Sequence, residues 1–421
     1  MGRPEPVGAP GAGVGGLRGV RAPAREPRAD HADHVAAGLH RVAGRAAHRP
    51  ARVRIAGLTA AVAYEIAAFG GDGIGPSVVA QAVKVLDAVS QRWGYEFTVT
   101  EHAVGAAGLT TAGTSLPPAA LAAARASAAV LLGAVGDPAI DRSVGDENPT
   151  VALLKLRREL GLHTSIRPVR LPPDLADLSS LRTGDGRAPI DLVIVRDLAA
   201  GLFNGQPRGR RQLAGDVAEA FDTMSYSTTD IARTAHTAFR WAGRRRGLVT
   251  SVDQANVLES SALWRDEVTR IAKEYPDVRL QHVLVDNCAN DLVRHPDRFD
   301  VILTDGLFGG ILSDEAGAVA GSIGMLASAS VGDGPGIFEP VHGSAPSHAG
   351  KDDVNPIGTV RALAMLLDHA LGLAEPAAAV EAAVVRTVAG GLRTYDIAVT
   401  GSRVVGTEAM GDAIAAAVAE G

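Results

Sequence analysis

Apolar residues along this chain follow two rhythms. From residue 64 onward, short continuous apolar runs ending in glycine or aspartate alternate with longer stretches whose apolar residues recur at three- and four-residue steps. These are the patterns of buried strands and of amphipathic helices. YEIAAF (64–69) reads as a strand and GGDGIGP as a glycine-rich turn. Residues 76–94 read as a helix with Pro76 in the first turn, Gly94 past the end, and Val79, Val83, Leu86, Val89 and Trp93 on one face. FTVTEHAV, AAVLLGAVG, DLVIVRD, GLVTSVD, VRLQHVLVD and FDVILTD read as further strands, and residues 118–126, 151–161 and 229–247 as helices. The arginines finishing the last of these suit its negative C-terminal end. Strands alternating with helices predict an α/β fold with a mainly parallel sheet.

Ligands of such sheets bind beyond the strand ends. Three strands that finish in Asp253, Asp286 and Asp305 therefore predict one polar site, although each aspartate alone also suits a turn. Asp314 is expected in a turn, GGILSDEAG, that enters a helix. Arg157 late in a helix, Arg167 in SIRP and Arg196 at the end of an apolar strand place guanidinium forks on converging elements. Such forks grip carboxylates bidentately, which suggests a di- or tricarboxylate ligand; surface ion pairing is the competing reading. Carboxylates at Asp286 and Asp314 suit Mg²⁺ or Mn²⁺, which needs few protein ligands. The stretch 338–356 is a long binding loop in which His342 and Asn355 can face a purine edge.

Composition narrows this picture. The 421 residues are 46% hydrophobic and 21% charged, with one cysteine, Cys288. That excludes a disulfide framework and predicts a reducing, cytoplasmic setting. No apolar run is long enough for a membrane helix. The net charge is −6, while ten arginines and only four acids fall in the first sixty residues, so the body is more acidic still. An acidic body argues against nucleic acid as a partner. Residues 1–60 are Gly, Ala, Pro and Arg with almost nothing to bury, and are expected to be a disordered extension. GAGVGG (11–16) matches G-x-G-x-x-G, but no strand precedes it and no amphipathic helix follows, so it is not a dinucleotide site.

EIAAFGGDGIGP, LLKLRR with SIRP, IVRD, FDTMSYS, SVDQANVLESSALWRDEV, HVLVDN, FDVILTDGLFGGILSDEAG and FEPVHGSAPSHAGK occur in that order. The series resembles the 3-isopropylmalate dehydrogenase family of β-decarboxylating dehydrogenases, the group that also holds isocitrate and tartrate dehydrogenases, from about Tyr64 to the C-terminus. The resemblance implies a two-domain α/β fold, mainly parallel and not of Rossmann topology. One domain would combine 61–162 with 321–421, and 163–320 would form the dimerisation and substrate domain. It also implies oxidation of a 2-hydroxy diacid by hydride transfer to NAD, then loss of the β-carboxylate with help from Mg²⁺ or Mn²⁺.

By the same resemblance, Arg157, Arg167 and Arg196 would clamp the substrate carboxylates, and Leu153, Leu154 and Val257 would form an apolar wall suited to an isopropyl group. Tyr226 would protonate the enol, and Asp286 and Asp314 would bind the metal. Ile74, Glu339, His342, Gly343, Ser344, Ala345, Ser347 and Asn355 would form the cofactor site. Each site would be shared between subunits, so Gln254, Asn256, Val257 and Asp286 would serve the partner's substrate. The chain departs from the family at four functional positions. Gln254 replaces the base-assisting lysine, Gly310 a metal aspartate, Thr150 a glutamate near the nicotinamide, and Ser347 an aspartate on the adenosine ribose. Glutamine cannot titrate, and general acid–base groups contribute about 10²–10⁴-fold, so impaired turnover is expected. Two alternatives stand beside an active homodimer: a non-catalytic homologue serving as a partner or regulatory subunit, in a mixed dimer with a paralogue, and a divergent dehydrogenase for tartrate or another alkylmalate.

Overall fold

The computed structural model describes residues 63–140, 148–179, 181 and 190–421. The expected extension at 1–60 and the GAGVGG match lie outside the described residues. In chain order the first elements are strand β1 (Ala63–Gly71), helix α1 (Gly75–Trp93), β2 (Glu96–Glu101), α2 (Ala106–Ala112), α3 (Pro118–Ala126), β3 (Ala129–Ala134) and α4 (Pro149–Glu159). The middle of the chain gives β4 (Leu162–Leu171), β5 (Ile190–Asp197), the hairpin β6 (Gly209–Gln212) and β7 (Ala218–Phe221), α5 (Thr228–Ala242), β8 (Leu248–Asp253) and α6 (Glu259–Ala272). Then come β9 (Arg279–Leu284), α7 (Val285–Arg294), β10 (Val301–Thr304), α8 (Gly306–Val319), β11 (Ala327–Gly332), β12 (Ile337–Pro340), α9 (Ile357–Met365), α10 (Ala374–Ala389) and α11 (Thr407–Glu420).

Ten strands form one sheet in the order β2-β1-β3-β12-β11-β4-β5-β10-β8-β9. Its pairings are parallel except around β11 and β4, where β12–β11, β11–β4 and β4–β5 run antiparallel. The predicted α/β class with a mainly parallel sheet therefore holds. The apolar runs behave as fully buried strands should: β3 is buried throughout, and β5 is buried except at Asp191. Helix α1 stops at Gly94, whose left-handed backbone (φ 70°) lets its N–H close on the carbonyl of Ser90. Its buried stripe is Val78, Val79, Ala82, Val85, Leu86 and Val89. Val83 and Trp93, expected on that face, are only half-buried, because the helix packs on both the sheet and α11 and its apolar face is turned accordingly.

Two further expectations change. Asp286 does not end a strand; β9 stops at Leu284, and Asp286 sits exposed in the first turn of α7. Asp314 is not in a turn but in the third turn of α8, because that helix already begins at Gly306, capped by the Asp305 carboxylate on the Phe308 N–H at 2.7 Å. The capping carboxylate satisfies a helix N–H that would otherwise be orphaned.

In the 163–320 segment, helix α5 packs its buried face against the sheet. Phe239 is fully buried there and stacks on Tyr275 with ring centroids 5.1 Å apart. Phe239→Ala should lower the unfolding free energy by about 3–5 kcal/mol, through lost burial and the cavity left behind. Chemical denaturation checks this, and a loss below about 1 kcal/mol would show that the site collapses around the smaller side chain.

Candidate active site

The antiparallel pairing of β4 and β5 sets the position of two arginines. Arg196 lies opposite Ser165, and Arg167 opposite Ile194. Side chains two residues apart on a strand share a face, so Arg167 and Arg196 are diagonal neighbours on one side of the sheet, close enough for long side chains to interact. The third guanidinium, Arg157, comes from α4 and pairs with Glu339 on β12 at 2.6 Å. All three arginines are buried, and the Nε of each lacks a hydrogen-bond partner. Burial pulls the Arg167 guanidinium down to about 10, opposed by Glu339 and Asp314 and assisted by Arg157. Burial, then Arg167 and Arg157, hold Arg196 well below its usual value. The structure thus brings the three predicted clamp residues together as an under-neutralised cationic pocket. Leu153 and Leu154, half-buried on α4, lie about one helical turn before Arg157 and so near its face.

Tyr226 reaches the same place from the segment before α5. Its hydroxyl accepts the N–H of Gly306 at 3.2 Å, while Nη1 of Arg196 donates to the Gly306 carbonyl at 2.9 Å. The phenol and the clamp therefore meet on one residue. The ring stands edge-on to Trp264 at 5.4 Å. Gly201 has φ 72°, and a β-carbon there would fall 2.1 Å from the Tyr226 oxygen, so this turn admits only glycine. Burial raises the Tyr226 pKa strongly, and Asp305 and Asp197 raise it further, which keeps the phenol protonated.

Two of the three strand-end aspartates converge, and the third does not. Asp253 and Asp305 line one narrow crevice with Met224, Tyr226, Val252 and Trp264, whereas Asp286 is exposed on α7. Asp253 is held by Arg265 at 2.7 and 3.1 Å and caps the Ala255 N–H, a structural commitment. Of two carboxyls raised by burial, sequence reading named Asp305 as a strand end and missed Asp197. Burial pushes Asp197 and Asp305 each to about 6, against backbone hydrogen bonds that lower them. Asp197 receives the N–H groups of Ala199 and Ala200 and the Thr234 hydroxyl. Its position at the end of an apolar strand was the available signal.

The expected cofactor residues form a docked pair of loops. The Ile74 N–H bonds the Ser344 carbonyl at 2.8 Å, and the Ser344 hydroxyl bonds the Gly136 carbonyl at 2.6 Å. Asp72, buried between them, accepts the N–H groups of Gly136 and Ala107. Gly343, Ala345 and Ser347 are exposed along this rim. His342 turns Nδ1 to the Gly343 carbonyl and leaves Nε2 buried without a partner, an orphan group that a bound heterocycle can satisfy. Asn355 is committed inward instead, to Asp396 and the Ile357 N–H. The backbone cradle and the His342 nitrogen fit a dinucleotide.

The residues expected to bind a metal or to serve a partner subunit do not gather into one cluster. Asp314 is exposed on α8 with an oxygen 3.7 Å from Arg167. Among the described residues no group of three or more His, Cys, Asp or Glu side chains assembles. Two exposed carboxylates nevertheless fit the oxygen chemistry of Mg²⁺, which binds through one or two carboxylates and ligand oxygens. Gln254 is half-buried with its Oε1 unpartnered, and Asn256 and Val257 are exposed. No described hydrogen bond or ion pair ties Gln254, Asn256, Val257 or Asp286 to the clamp of their own chain.

The sequence profile of the isocitrate/isopropylmalate dehydrogenase family matches residues 65–414. The chain is 48% identical over 346 residues to the 3-isopropylmalate dehydrogenase of Nitratidesulfovibrio vulgaris, an alignment covering 82% of this chain and 97% of that protein. It is 48% identical over 363 residues to that of Moorella thermoacetica, covering 85% and 100%. Among solved structures, an isocitrate dehydrogenase from Methylococcus capsulatus superposes with a TM-score of 0.75 at 33% identity, covering 85% of this chain and 99% of that one. A β-decarboxylating dehydrogenase from Thermococcus kodakarensis in its apo form gives 0.66 at 35% identity, covering 85% and 96%.

The raised carboxyls make a pH prediction. A carboxyl whose folded pKa lies above its unfolded value binds protons more tightly when folded, so its contribution to stability falls as pH rises through the window between the two values. For Asp305 that window runs from the ordinary 3.8 to about 6. Asp305→Asn keeps an oxygen to cap α8 but cannot ionise. Its unfolding free energy relative to the native protein should rise between pH 4 and pH 7, by up to about 2–3 kcal/mol. Denaturation of both proteins across that range checks it; a pH-independent difference would contradict the burial assigned to Asp305.

Proposed function

The chain belongs to the isocitrate/isopropylmalate dehydrogenase family, and from that premise we propose that it oxidises and decarboxylates 3-isopropylmalate with NAD, in leucine biosynthesis. The observation that carries this reading is the pocket of three buried guanidiniums with one buried carboxylate pairing against them, bordered on α4 by Leu153 and Leu154. Two substrate carboxylates would neutralise the pocket and a branched apolar group would meet the leucines. An isocitrate-type ligand would place a third carboxylate there instead. Methylene-sized differences at such a wall are worth about 1–3 kcal/mol.

In this reading Arg157, Arg167 and Arg196 hold the diacid and fix its orientation. Asp314 and Asp286 would hold a divalent ion, whose chemistry when bound would be polarisation of the substrate oxygens, and NAD when bound would supply the hydride acceptor. Ile74, His342 and the 343–347 loop hold the dinucleotide, while Glu339 belongs to the clamp through Arg157. Tyr226, kept protonated by burial, delivers its proton to the enol carbon. Gln254 orients the substrate hydroxyl by hydrogen bonding and takes no proton, so the hydroxyl proton must leave to water and turnover is slow.

The strand order supports the two-domain division: strands from 63–134 and 327–340 fill one half of the sheet and those from 162–304 the other. A second copy of the chain, or a paralogue, completes the site from the surface that carries Asp286. Val257, Leu263, Val293 and Ile311 stand exposed on that region, and the β6–β7 hairpin exposes Leu213 and Val217. No helix among the described residues is long and apolar enough to cross a membrane, and we place the protein in the cytoplasm.

The test is nicotinamide reduction by the purified protein with Mg²⁺ or Mn²⁺, comparing 3-isopropylmalate, isocitrate and tartrate. Reduction with 3-isopropylmalate in preference to the others is expected, and no reduction with any of them would overturn the reading. Gln254→Lys should raise kcat at least about tenfold, the lower range for a restored proton-transfer group. An unchanged kcat would show that glutamine does not limit the reaction.

A further inference from the structure

The first turns of α8 carry glycine at 306, 309 and 310, and Arg196 lies along that bare face. A β-carbon at 309 would fall 2.5 Å from Arg196 Cβ and 2.9 Å from its Cδ, and one at 310 would fall 2.8 Å from its Nη1. The same Nη1 donates to the Gly306 carbonyl at 2.9 Å. The side chain is thus seated on α8 along its length, and its charge is delivered where residue 310 would otherwise project. Among the described residues Arg196 has no carboxylate partner: Glu339 engages Arg157 at 2.6 Å and Asp314 approaches Arg167 at 3.7 Å. Its Nε is also buried and unpartnered.

We propose that Arg196, seated on this glycine face, is a fixed cation that takes one carboxylate of the diacid directly, so that the diacid binds without a divalent ion. This rests on the function proposed above and concerns binding only, leaving the ion its part in the reaction. A carboxylate at position 310 would face the ligand's carboxylate, and a divalent cation would have to bridge the two anions. With glycine at 310 the helix sets no anion against Arg196 at that position, its Asp314 lying a turn further on toward Arg167, and the guanidinium supplies a charge-assisted contact in its place. A buried, unpaired guanidinium is unstable until an anion reaches it. The local excess of positive charge also disfavours a divalent cation while the ligand is absent.

Isothermal titration of the full chain with 3-isopropylmalate, once in excess EDTA and once in Mg²⁺, tests this. The two dissociation constants should agree within about threefold, a free-energy difference too small for a bridging ion. Gly310→Asp should pair with Arg196 and weaken binding in EDTA by about tenfold or more, the loss expected when a hydrogen bond to a charged group goes, and Mg²⁺ should restore it. Gly310→Ala, which crowds the guanidinium without adding charge, should weaken binding equally in both buffers. Binding of the native protein only in Mg²⁺, or unchanged binding by Gly310→Asp, would overturn the inference alone. No binding in either buffer would overturn the function proposed above along with it.

Discussion

Three guanidinium groups withdrawn from water, with a single buried carboxylate paired against them, set the terms for everything around them. Burying a charge costs several kcal/mol unless it is paired, and neighbouring like charges add to that cost. The lowered Arg167 and Arg196 are the record of both effects. Such a pocket persists only if the rest of the protein holds it open. Here the holding is done by sheet register: Arg167 and Arg196 leave adjacent antiparallel strands two residues out of step, from backbone that is buried on both sides. Both side chains start from buried stretches of the ladder rather than from a solvent edge. The charge deficit is therefore built in, and a dianionic ligand removes it.

Glu339 joins this pocket to the dinucleotide side. Its carboxylate binds Arg157, and β12, which carries it, ends at Pro340 and runs directly into the 341–347 loop. That loop is pinned to the Gly71–Gly75 turn by the Ile74–Ser344 bond, and to the end of β3 by Ser344 and Gly136. One short strand thus carries both the clamp's carboxylate and the start of the cofactor-rim loop.

The sequence made the arginines legible because charge at the end of an otherwise apolar strand is rare, and the structure places Arg196 at such a strand end. Strand and helix types were readable wherever the apolar period was unbroken, as in β3, β5 and α1. What escaped was whatever depends on neighbours. Asp286 looked like a strand end because VLVD continues an apolar run, yet its helix begins one residue earlier. Asp314 looked like a turn residue because GGILSDEAG reads as a turn entering a helix, whereas the helix is already under way. Val83 and Trp93 fit the helical period but not the direction of the sheet. Asp197 and Asp305 are ordinary letters whose altered acidity comes from burial, which no local pattern records.

The glycines of α8 are where the local rule fails most instructively. Each glycine in a helix interior costs about 1 kcal/mol relative to alanine, and α8 has glycine at 306, 309 and 310 within its first two turns. Alanine at 309 cannot simply recover that energy, because its β-carbon would overlap the stem of Arg196. The penalty is tolerated in a helix whose start is fixed by the Asp305 cap and whose inner face packs on the sheet. Cap and packing secure the helix, and the glycines leave its surface free to carry the guanidinium. Gln254 belongs to the same economy of charge: in the shared site proposed above it would bring a neutral group to a pocket already rich in fixed cations, where a lysine would add one more. A site arranged this way favours holding a dianion over moving its protons, and the slow turnover proposed for it follows from that balance.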